Sequence, residues 1–348
     1  MPSRVGDGRP TMRDVAREAG VSQSLVSMVF RGLPGASQET RARILDVARA
    51  MGYTRNESAR ALRSQQPTAI GVVFRTRQPF HDEILDSLYS VVAGIPHDLM
   101  LSATSEARGE EAAVRELVGH RCGALILLGP RSADGDLSRW AGGVPLVVVA
   151  RRSDTAGAWV VSDDRAGMTA VVDHLVGLGH RDIAYLSSTA EASGVERLGA
   201  VRDAVRAAGV QARLRVIPAG VTEDDGVAAV AEVFDGGAPP TAMIAFNDRC
   251  ALGVMEALHR RGLRVPEDVS LVGYDDSSIA RRPTTDLTSV RQDSTALASH
   301  AVARAVAALP QTGATGWEAV VAAEHGERGV VVPVELVVRS SSAAAPTR

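Results

Sequence analysis

The residues that follow Ser22 carry side chains that can read the edges of DNA bases. Val26 and Val29 are spaced to face inward on a short helix that Ser22 can cap. Four residues remain on its outward face, namely Gln23, Ser24, Ser27 and Met28. A glutamine amide can pair with two edge atoms of adenine, and an apolar side chain can lie against a thymine methyl group. This compact, polar face is typical of a recognition helix in the DNA major groove.

That face needs two further helices to hold it in place. Residues 11–14 read Thr-Met-Arg-Asp, a capping-box pattern that begins a helix, and Gly20 supplies the exit from that helix. Ser37 can begin a third helix, which Gly52 ends. The inward residues of the third helix are Ile44, Leu45, Ala48 and Met51. The turn between the first two helices fits a helix-turn-helix layout, although an ordinary helical hairpin contains a similar turn.

The distribution of charge favours the DNA-binding interpretation. Residues 1–64 hold 11 Arg and six Asp or Glu, a net charge of +5. The remainder of the chain holds 27 Arg and 35 acidic residues, a net charge of −8. A cationic head on an anionic body suits a polyanionic partner. All 38 basic residues are Arg, whose planar guanidinium can contact phosphate with two parallel N–H groups.

The composition predicts a globular protein of the cytoplasm. Hydrophobic residues make up 45% of the chain. Because no apolar run reaches the roughly 18 residues of a membrane span, we expect no membrane partner. The polar residues 1–10 lack the apolar segment of a secretory signal. Cys122 and Cys250 are isolated in the sequence, which fits a reducing compartment and small buried side chains.

Catalysis has no visible basis in the sequence. The eight His residues show no metal-ligand spacing. No glycine-rich dinucleotide loop, Walker sequence or nucleophile elbow occurs either. We therefore predict no catalytic residue, no metal site and no cofactor.

The body of the chain has the pattern of an α/β protein. Gln65, Gln66 and Pro67 break any helix and mark the end of the head. After them, short Val, Ile and Leu runs alternate with amphipathic segments, which predicts parallel βαβ units. The strand candidates are 69–74, 99–103, 124–128 and 146–149 in one series, and 183–187, 214–217, 242–246 and 269–274 in a second. Two doubly wound parallel sheets would leave a ligand-binding cleft between them.

Several residue runs, distributed over most of the chain, stand in one characteristic order. In the head they are MRDVAREAGVS at 12–22, VS at 26–27, TR at 40–41, GY at 52–53 and ARALR at 59–63. In the body they are HL at 174–175, LGHR at 178–181, FND at 246–248, VGYDD at 272–276, RQD at 291–293 and ELVVR at 335–339. With these runs the chain resembles the LacI/GalR family of bacterial transcriptional regulators.

The resemblance implies a fold and a division into domains. The fold is α/β, with an N-terminal all-α helix-turn-helix DNA-binding domain and a periplasmic-binding-protein-like core of two doubly wound parallel-sheet subdomains. The expected divisions are a flexible N-terminus at 1–10, the DNA-binding domain at 11–55, a hinge helix and linker at 56–67 and a flexible tail at 340–348. Three crossings, near 163, 290–292 and 325–329, would give 68–163 and 293–325 to the N-terminal subdomain and 164–292 and 326–339 to the C-terminal one.

The same resemblance implies roles on DNA. Gln23, Ser24 and Met28 would contact bases, although Leu25 and Met28 replace the Thr and Arg of many members and Met28 packs inward in the alternative interpretation. The phosphate contacts would be Ser22, Ser27, Arg31, Ser37, Thr40, Tyr53 and Asn56. Ala59 and Leu62 would enter the minor groove, where Leu62 would act as a wedge. A core position is the alternative for Leu62. Arg55 departs from the Pro of many relatives.

In the cleft, Arg197 and Asp275 fall where the family anchors its effector, and the alternative for Arg197 is a charge on an exposed helix face. Asn247 and Gln292 would complete a polar ring, which Arg75 and Phe80 would face from the other subdomain. Two positions that are often aromatic in sugar-binding members hold Val221 and Ser294. The effector is therefore expected to be a sugar or another metabolite.

The resemblance thus implies a homodimeric regulator, most often a repressor in this family, that binds a pseudo-palindromic operator and a small-molecule effector. Two other classes share the body fold. A solute-binding protein for transport would need an export signal and would not carry residues 11–64. A Rossmann-type enzyme would need a phosphate loop or a catalytic group in the cleft.

Overall fold

The computed structural model of the chain describes residues 10–30, 35–53, 69–209, 212–235, 238–309 and 328–347. The chain divides into two compact units, Met1–Gln65 and Gln66–Arg348. The first unit contains the head, and the second contains both α/β subdomains. Within the described ranges, no helix has the combined length and apolar character that crossing a membrane requires.

Three helices pack together in the described part of the head. They are α1 (Met12–Glu18), α2 (Gln23–Phe30) and α3 (Gln38–Ala50). The predicted capping box begins α1, where the side chains of Thr11 and Asp14 each accept the other residue's backbone N–H. Gly20 has a φ of +66°, a left-handed conformation that glycine adopts without strain, and it turns the chain towards α2. The three apolar faces meet in one small core, which includes Val15, Val26, Val29 and Ile44.

The first α/β subdomain contains a six-stranded parallel sheet. Its strands are β1 (Ala69–Arg75), β2 (Asp98–Thr104), β3 (Ala124–Leu128), β4 (Leu146–Val149), β5 (Ala158–Ser162) and β11 (Gly329–Val332), in the order β11-β5-β4-β3-β1-β2. Helices α4 (Pro79–Val92) and α11 (Ser294–Ala307) cover one face, and α5 (Glu110–Gly119) and α6 (Asp134–Ala141) cover the other. Because both faces are covered, the central strands are continuous apolar runs.

The second α/β subdomain repeats this plan. Its strands are β6 (Asp182–Ser187), β7 (Arg213–Pro218), β8 (Ala242–Ile244), β9 (Ser270–Asp275), β10 (Thr288–Gln292) and β12 (Val334–Val337), in the order β12-β10-β9-β8-β6-β7. Only β12 runs antiparallel to its neighbour. Helices α7 (Asp164–Gly177) and α8 (Gly194–Ala207) cover one face, and α9 (Glu223–Asp235) and α10 (Asp248–Arg260) cover the other.

The third crossing between the subdomains differs from the prediction. Residues 326–339 were expected in the C-terminal subdomain, but Gly329–Val332 pairs with β5 in the first sheet. The crossing therefore lies at Pro333, and only Val334–Val337 joins the second sheet. Both short strands are rich in Val, so nothing in their sequence says which sheet each one joins. Strand β5 itself was not predicted.

The tail at 340–348 was predicted to be flexible, and the part described, up to residue 347, is bound to the second subdomain. Ser341 is buried; its carbonyl accepts the N–H of Leu271, and its hydroxyl accepts the N–H of Thr288, both at 2.8 Å. The N–H of Ala345 donates to the carbonyl of Leu178 at 2.9 Å. These bonds satisfy backbone groups at the end of the sheet, which explains why a polar, alanine-rich segment is ordered.

Candidate nucleic-acid interface and effector cleft

Helix α2 presents the predicted polar face. Val26 and Val29 are buried in the core of the head, whereas Gln23 and Ser24 are exposed and Ser27 is half-buried. Ser22 begins the helix, because its hydroxyl accepts the N–H of Leu25 at 3.2 Å. The two outermost side chains can therefore approach a base edge without any rearrangement of the head's core.

Met28 is only half-buried, and its side chain lies against the loop that follows α2. A Cβ atom built at Gly35 would come within 2.6 Å of the Met28 sulfur, so only a glycine leaves room for the thioether there. Gly35 also has a φ of +129°, which disfavours other residues. Met28 thus packs against its own loop while keeping part of its surface accessible, a position between the two interpretations drawn from the sequence.

Besides Ser22, three of the predicted phosphate-contact residues also bond or pack within the head. The Ser37 hydroxyl caps α3 by accepting the N–H of Thr40 at 3.2 Å, and the two side-chain oxygens lie 2.8 Å apart. One of these hydroxyls donates to the other, which leaves the proton of the second one free to donate to a phosphate. The ring of Tyr53 packs edge-to-face on Phe30, with 5.6 Å between the centroids. Arg31, Asn56, Ala59 and Leu62, like Arg55, lie outside the described residues.

Arg41 has a role in the head that the sequence did not reveal. Its guanidinium donates to the carbonyl of Val29 at 3.2 Å, close to the end of α2. A cation at a helix C-terminus is favourable because the last carbonyl groups carry partial negative charge. Arg41 therefore helps to fix the recognition helix, and its position in the third helix gave no local signal of this contact.

In the body, one cavity lies between the two subdomains. Its volume is about 70 Å³, below the roughly 300–1,000 Å³ that small-molecule sites usually occupy, so the side chains of the two subdomains nearly fill the space between them. All six predicted effector-binding residues line it: Arg75, Phe80, Arg197, Asn247, Asp275 and Gln292. Most of them stand at or just beyond the carboxyl end of a strand, where open α/β sheets bind ligands.

Arg197 is buried on α8 rather than exposed, so the alternative of a surface helix charge is wrong. Only 4% of its surface is accessible. Its Nε donates to Asp164 Oδ1 at 2.9 Å, its Nη1 donates to the carbonyl of Phe246 at 3.0 Å, and it stacks on the Tyr274 ring at 3.5 Å. Burial acts to lower the pKa of Arg197, but the Asp164 carboxylate outweighs burial and raises it, so the guanidinium stays charged.

Asp275 and Gln292 form a polar pair at the ends of neighbouring strands. The Gln292 amide donates to Asp275 Oδ1 at 2.7 Å, and its oxygen accepts the hydroxyl of Ser162 at 2.6 Å. Ser162 ends β5 in the first subdomain, so this chain of bonds joins the two subdomains at the back of the cleft. Burial, and then the nearby Asp248 carboxyl, raise the pKa of Asp275 well above its usual range.

The remaining predicted residues are held by their own elements. Asn247 caps α10, since its side-chain oxygen accepts the N–H of Cys250 at 2.8 Å. Phe80 borders the cavity but is 8% exposed and packs within the core of the first subdomain. Of the two positions that lack an aromatic, Val221 lines the cavity, whereas the hydroxyl of Ser294 accepts a hydrogen bond from Ser87. The cavity therefore offers a ligand few free aromatic faces.

Two ionisable residues that line the cleft were missed in the sequence. Glu191 reaches Arg75, whose Nη1 lies 3.1 and 3.0 Å from its two carboxylate oxygens, and it also pairs with Arg131. His81 accepts the backbone N–H of Arg75 on Nδ1 at 3.1 Å. Burial and the Arg75 charge lower the pKa of His81 to about 4, so the ring is neutral near pH 7. Neither residue stands in a motif, and only the folded chain brings them to Arg75.

The metal-binding potential of the described part of the chain is low. Among the residues placed by the structure, no group of three or more His, Cys, Asp and Glu side chains could hold a metal ion. Cys122 and Cys250 are buried free thiols, and burial raises the pKa of Cys122 to about 11 and that of Cys250 to about 12.

Two family models match separate parts of the chain. Residues 11–56 match the model described as bacterial regulatory proteins, lacI family. Residues 172–342 match the model of a periplasmic binding protein-like domain. The first match covers the described helices of the head, and the second covers most of the second subdomain with α11 and β11.

Individual proteins give the same assignment. The chain is 31% identical to the HTH-type transcriptional regulator GalR of Escherichia coli over 303 residues, which cover 85% of this chain and 88% of GalR. Its fold is similar to the lac repressor dimer bound to operator and the anti-inducer ONPF, with a TM-score of 0.80, 25% identity and coverage of 97% and 100%. A complex of the transcriptional regulator CelR with cellobiose gives a TM-score of 0.66, 26% identity and coverage of 96% and 100%.

Proposed function

The chain belongs to the LacI family of bacterial regulatory proteins and is a DNA-binding regulator of transcription; from this premise, we propose that a small molecule in the cleft controls its affinity for operator DNA. One observation carries the proposal. Polar groups from both subdomains converge on a single cavity, with Arg75 on one side and Arg197 and Asp275 on the other. A ligand that touches both sides would fix the orientation of one subdomain relative to the other.

The existing contacts between the subdomains support a hinged mechanism. Besides Ser162 and Gln292, the Arg249 guanidinium donates to the carbonyl of Arg77 at 2.8 Å, and Glu83 accepts the N–H of Ser278 at 2.9 Å. These are individual polar bonds that can be exchanged for bonds to a ligand. A ligand that binds one orientation more tightly than another shifts the population towards it, and any linked DNA site changes affinity by the same free energy.

The proposed assembly is a homodimer that acts as a repressor in the cytoplasm. Two heads related by a twofold axis would bind the two halves of a pseudo-palindromic operator, as dimeric helix-turn-helix proteins do. A change in subdomain orientation within each protomer would alter the spacing of the heads. The ligand would be bound and released unchanged, without a cofactor, and a sugar is one candidate because a solved relative holds cellobiose.

A test of this proposal uses Arg197 and a matched control on the same helix. Operator DNA is selected from a random pool with the full-length protein, and its affinity is measured by fluorescence anisotropy with a panel of neutral sugars, sugar acids and sugar phosphates. In Arg197→Ala the response to the active compound should be lost while ligand-free operator affinity stays within about twofold. Arg202→Ala, which removes an exposed guanidinium from α8, should respond like the wild type.

Arg197→Ala also leaves Asp164 buried without its partner, so Arg197→Lys serves as a second variant. It keeps the positive charge but loses the planar fork, and it should retain the fold with a weakened response. Thermal melting checks that both variants are folded. An unchanged response in a folded Arg197→Ala protein would remove the cleft from the proposed mechanism.

A further inference from the structure

Glu191 lines the cleft from the second subdomain. It lies between β6 and α8, where its N–H donates to the carbonyl of Ser188 at 3.1 Å and its own carbonyl accepts the N–H of Gly194 at 3.0 Å. This turn holds the backbone in place and directs the side chain into the cleft. Only 11% of the Glu191 side chain is exposed.

Both partners of the Glu191 carboxylate come from the first subdomain. Arg75 ends β1, and its Nη1 lies 3.0 Å from one carboxylate oxygen and 3.1 Å from the other. Arg131 follows β3 and pairs with the same carboxylate. In the part of the chain that the structure describes, no other carboxylate forms an ion pair with either guanidinium. One anion of the protein therefore compensates two cations across the cleft.

The other ionisable groups in the cleft are already balanced. Arg197 is paired with Asp164 at 2.9 Å, and Asp275 is bonded to the Gln292 amide at 2.7 Å. The low pKa of His81 keeps its ring neutral near pH 7. If the subdomains separate, or if a ligand enters between them, the cleft charges left without a partner are those of Arg75, Arg131 and Glu191.

We propose that Glu191 stands in for an acidic group of the effector, and that a carboxylate or phosphate of a small metabolite displaces it from Arg75 and Arg131. The inference rests on the proposed function, because it names the chemical class of the molecule that the same cleft takes. Removing Glu191 leaves two guanidinium groups, one of them largely buried, and charge-assisted bonds to an oxyanion are about twice as strong as bonds to a neutral hydroxyl. A neutral ligand that displaced Glu191 would leave both charges uncompensated.

The lining of the cavity agrees with an acidic ligand. Stacking on a sugar ring needs an open aromatic face, yet Phe80 is packed in its core and the Phe246 ring lies 5.0 Å from the Arg197 guanidinium. Val221 provides no ring at its position. Recognition therefore depends on polar groups, among which Arg75 in the lining, together with Arg131, which shares its Glu191 partner, is the strongest anion-binding element.

The test compares Glu191→Gln with Glu196→Gln in the full-length protein. Glu196 is also paired across the subdomains, with Arg152 at 3.4 Å, but its side chain is 41% exposed and does not line the cavity. Inorganic phosphate is the probe, added at constant ionic strength, and its affinity is measured by isothermal titration calorimetry and by the rise in melting temperature. Glucose at the same concentrations is the neutral comparison.

Glutamine keeps the shape of Glu191 and removes the charge that competes with phosphate. The dissociation constant of phosphate should fall about tenfold in Glu191→Gln and stay within about twofold of wild type in Glu196→Gln. Adding Arg75→Gln to the Glu191→Gln protein should abolish this gain in phosphate affinity. Equal phosphate affinity in the wild type and both single variants would overturn the proposal.

A second set of probes separates the two possible sources of the acidic group. Glucose 6-phosphate carries a phosphate and gluconate carries a carboxylate. Whichever of the two binds Glu191→Gln more tightly identifies the acidic group that the cleft recognises. If glucose binds the wild type and Glu191→Gln alike while both acids fail to bind, the acidic class is wrong. Operator affinity is measured on the same samples. If glucose changes operator affinity although neither acid binds, the proposed function holds and only the inference of an acidic effector is wrong.

Discussion

The head and the cleft hold their functional residues in opposite ways. In the head, Gln23 and Ser24 are adjacent residues on the exposed face of α2, and the buried face of the same helix fixes their direction. In the cleft, Ser162 bonds Gln292 across 130 positions of the chain, and Arg75 bonds Glu191 across 116. The head is therefore a local surface on a small core, whereas the cleft is a set of distant residues assembled by two sheets.

This difference predicts that the two functions can be separated by mutation. Changes to exposed residues of α2 should alter DNA binding without affecting stability, because those side chains make few contacts within the protein. Changes at the bottom of the cleft should affect ligand response and stability together, because each polar side chain there is hydrogen-bonded or ion-paired to another side chain.

The largest expected effect comes from removing the head. Deletion of residues 1–66 should reduce operator affinity at least about a hundredfold while the body keeps its ligand affinity, since the body is a compact unit of its own. Anisotropy with labelled operator and calorimetry with the active compound measure the two properties. Operator binding that survives the deletion would show that the body contacts DNA itself.

The next largest effect is expected at the buried ion pair below the cleft. Asp164→Asn removes the charge that balances Arg197 and weakens the bond to the Tyr274 hydroxyl, now 2.5 Å long, and should destabilise the body by about 3–5 kcal/mol in urea unfolding. Asp203→Asn is the matched control, because Asp203 pairs with Arg165 and Arg206 in solvent. It should leave the unfolding midpoint unchanged, and equal losses in both variants would contradict the special role of burial.

A smaller effect is expected from acid on His81. Its pKa is about 4 in the folded protein against an ordinary 6.5, so the unfolded chain binds the extra proton first as the pH falls. The stability that neutral His81 contributes should be complete above pH 6.5 and lost progressively towards pH 4, by up to about 3 kcal/mol. Urea unfolding at pH 7.5 and pH 4.5 should show a smaller pH dependence in His81→Gln than in the wild type. The same slope in both proteins would mean that other groups cause the acid sensitivity.

The smallest effect separates two serines of the head. Ser37→Ala removes the cap of α3 and should lower the stability of the head by about 1 kcal/mol. Ser24→Ala should leave the melting temperature unchanged and alter only operator affinity, because Ser24 is exposed on the outward face of α2. A shift in melting temperature for Ser24→Ala would place that side chain in the structure of the head rather than on its binding surface.

The sequence predicted the helices of the head and eight of the twelve strands described in the body, β1–β4 and β6–β9, because both follow from the spacing of apolar residues. Strand β5 was missed, and β11 was placed in the wrong sheet, because short Val-rich segments of this kind fit either sheet equally well. The tail was expected to be free, yet Ser341 is buried by contacts with strands that lie about 50 and 70 positions earlier.

The site was predicted as far as the resemblance extended. The six cleft residues named from family positions line one cavity, but their individual roles as ligand contacts stay predictions. Glu191 and His81 were not found, because they belong to no motif and act through Arg75, which is distant from Glu191 in sequence. The hinge residues Ala59 and Leu62 stay predictions as well, since they lie outside the described residues.

The central claim, that the cleft and the head are linked, is tested most directly by measuring the coupling in both directions. The compound with the largest effect on operator affinity is titrated into free protein and into the protein–operator complex. Linkage requires ligand affinity to change by the same factor as operator affinity, expected to be between about 5-fold and 150-fold. We predict that, in the wild type, the ligand changes operator affinity by the same factor as operator changes ligand affinity. In Arg197→Ala both changes should be lost. A compound that changes operator affinity while its own affinity is the same with and without operator would contradict the account.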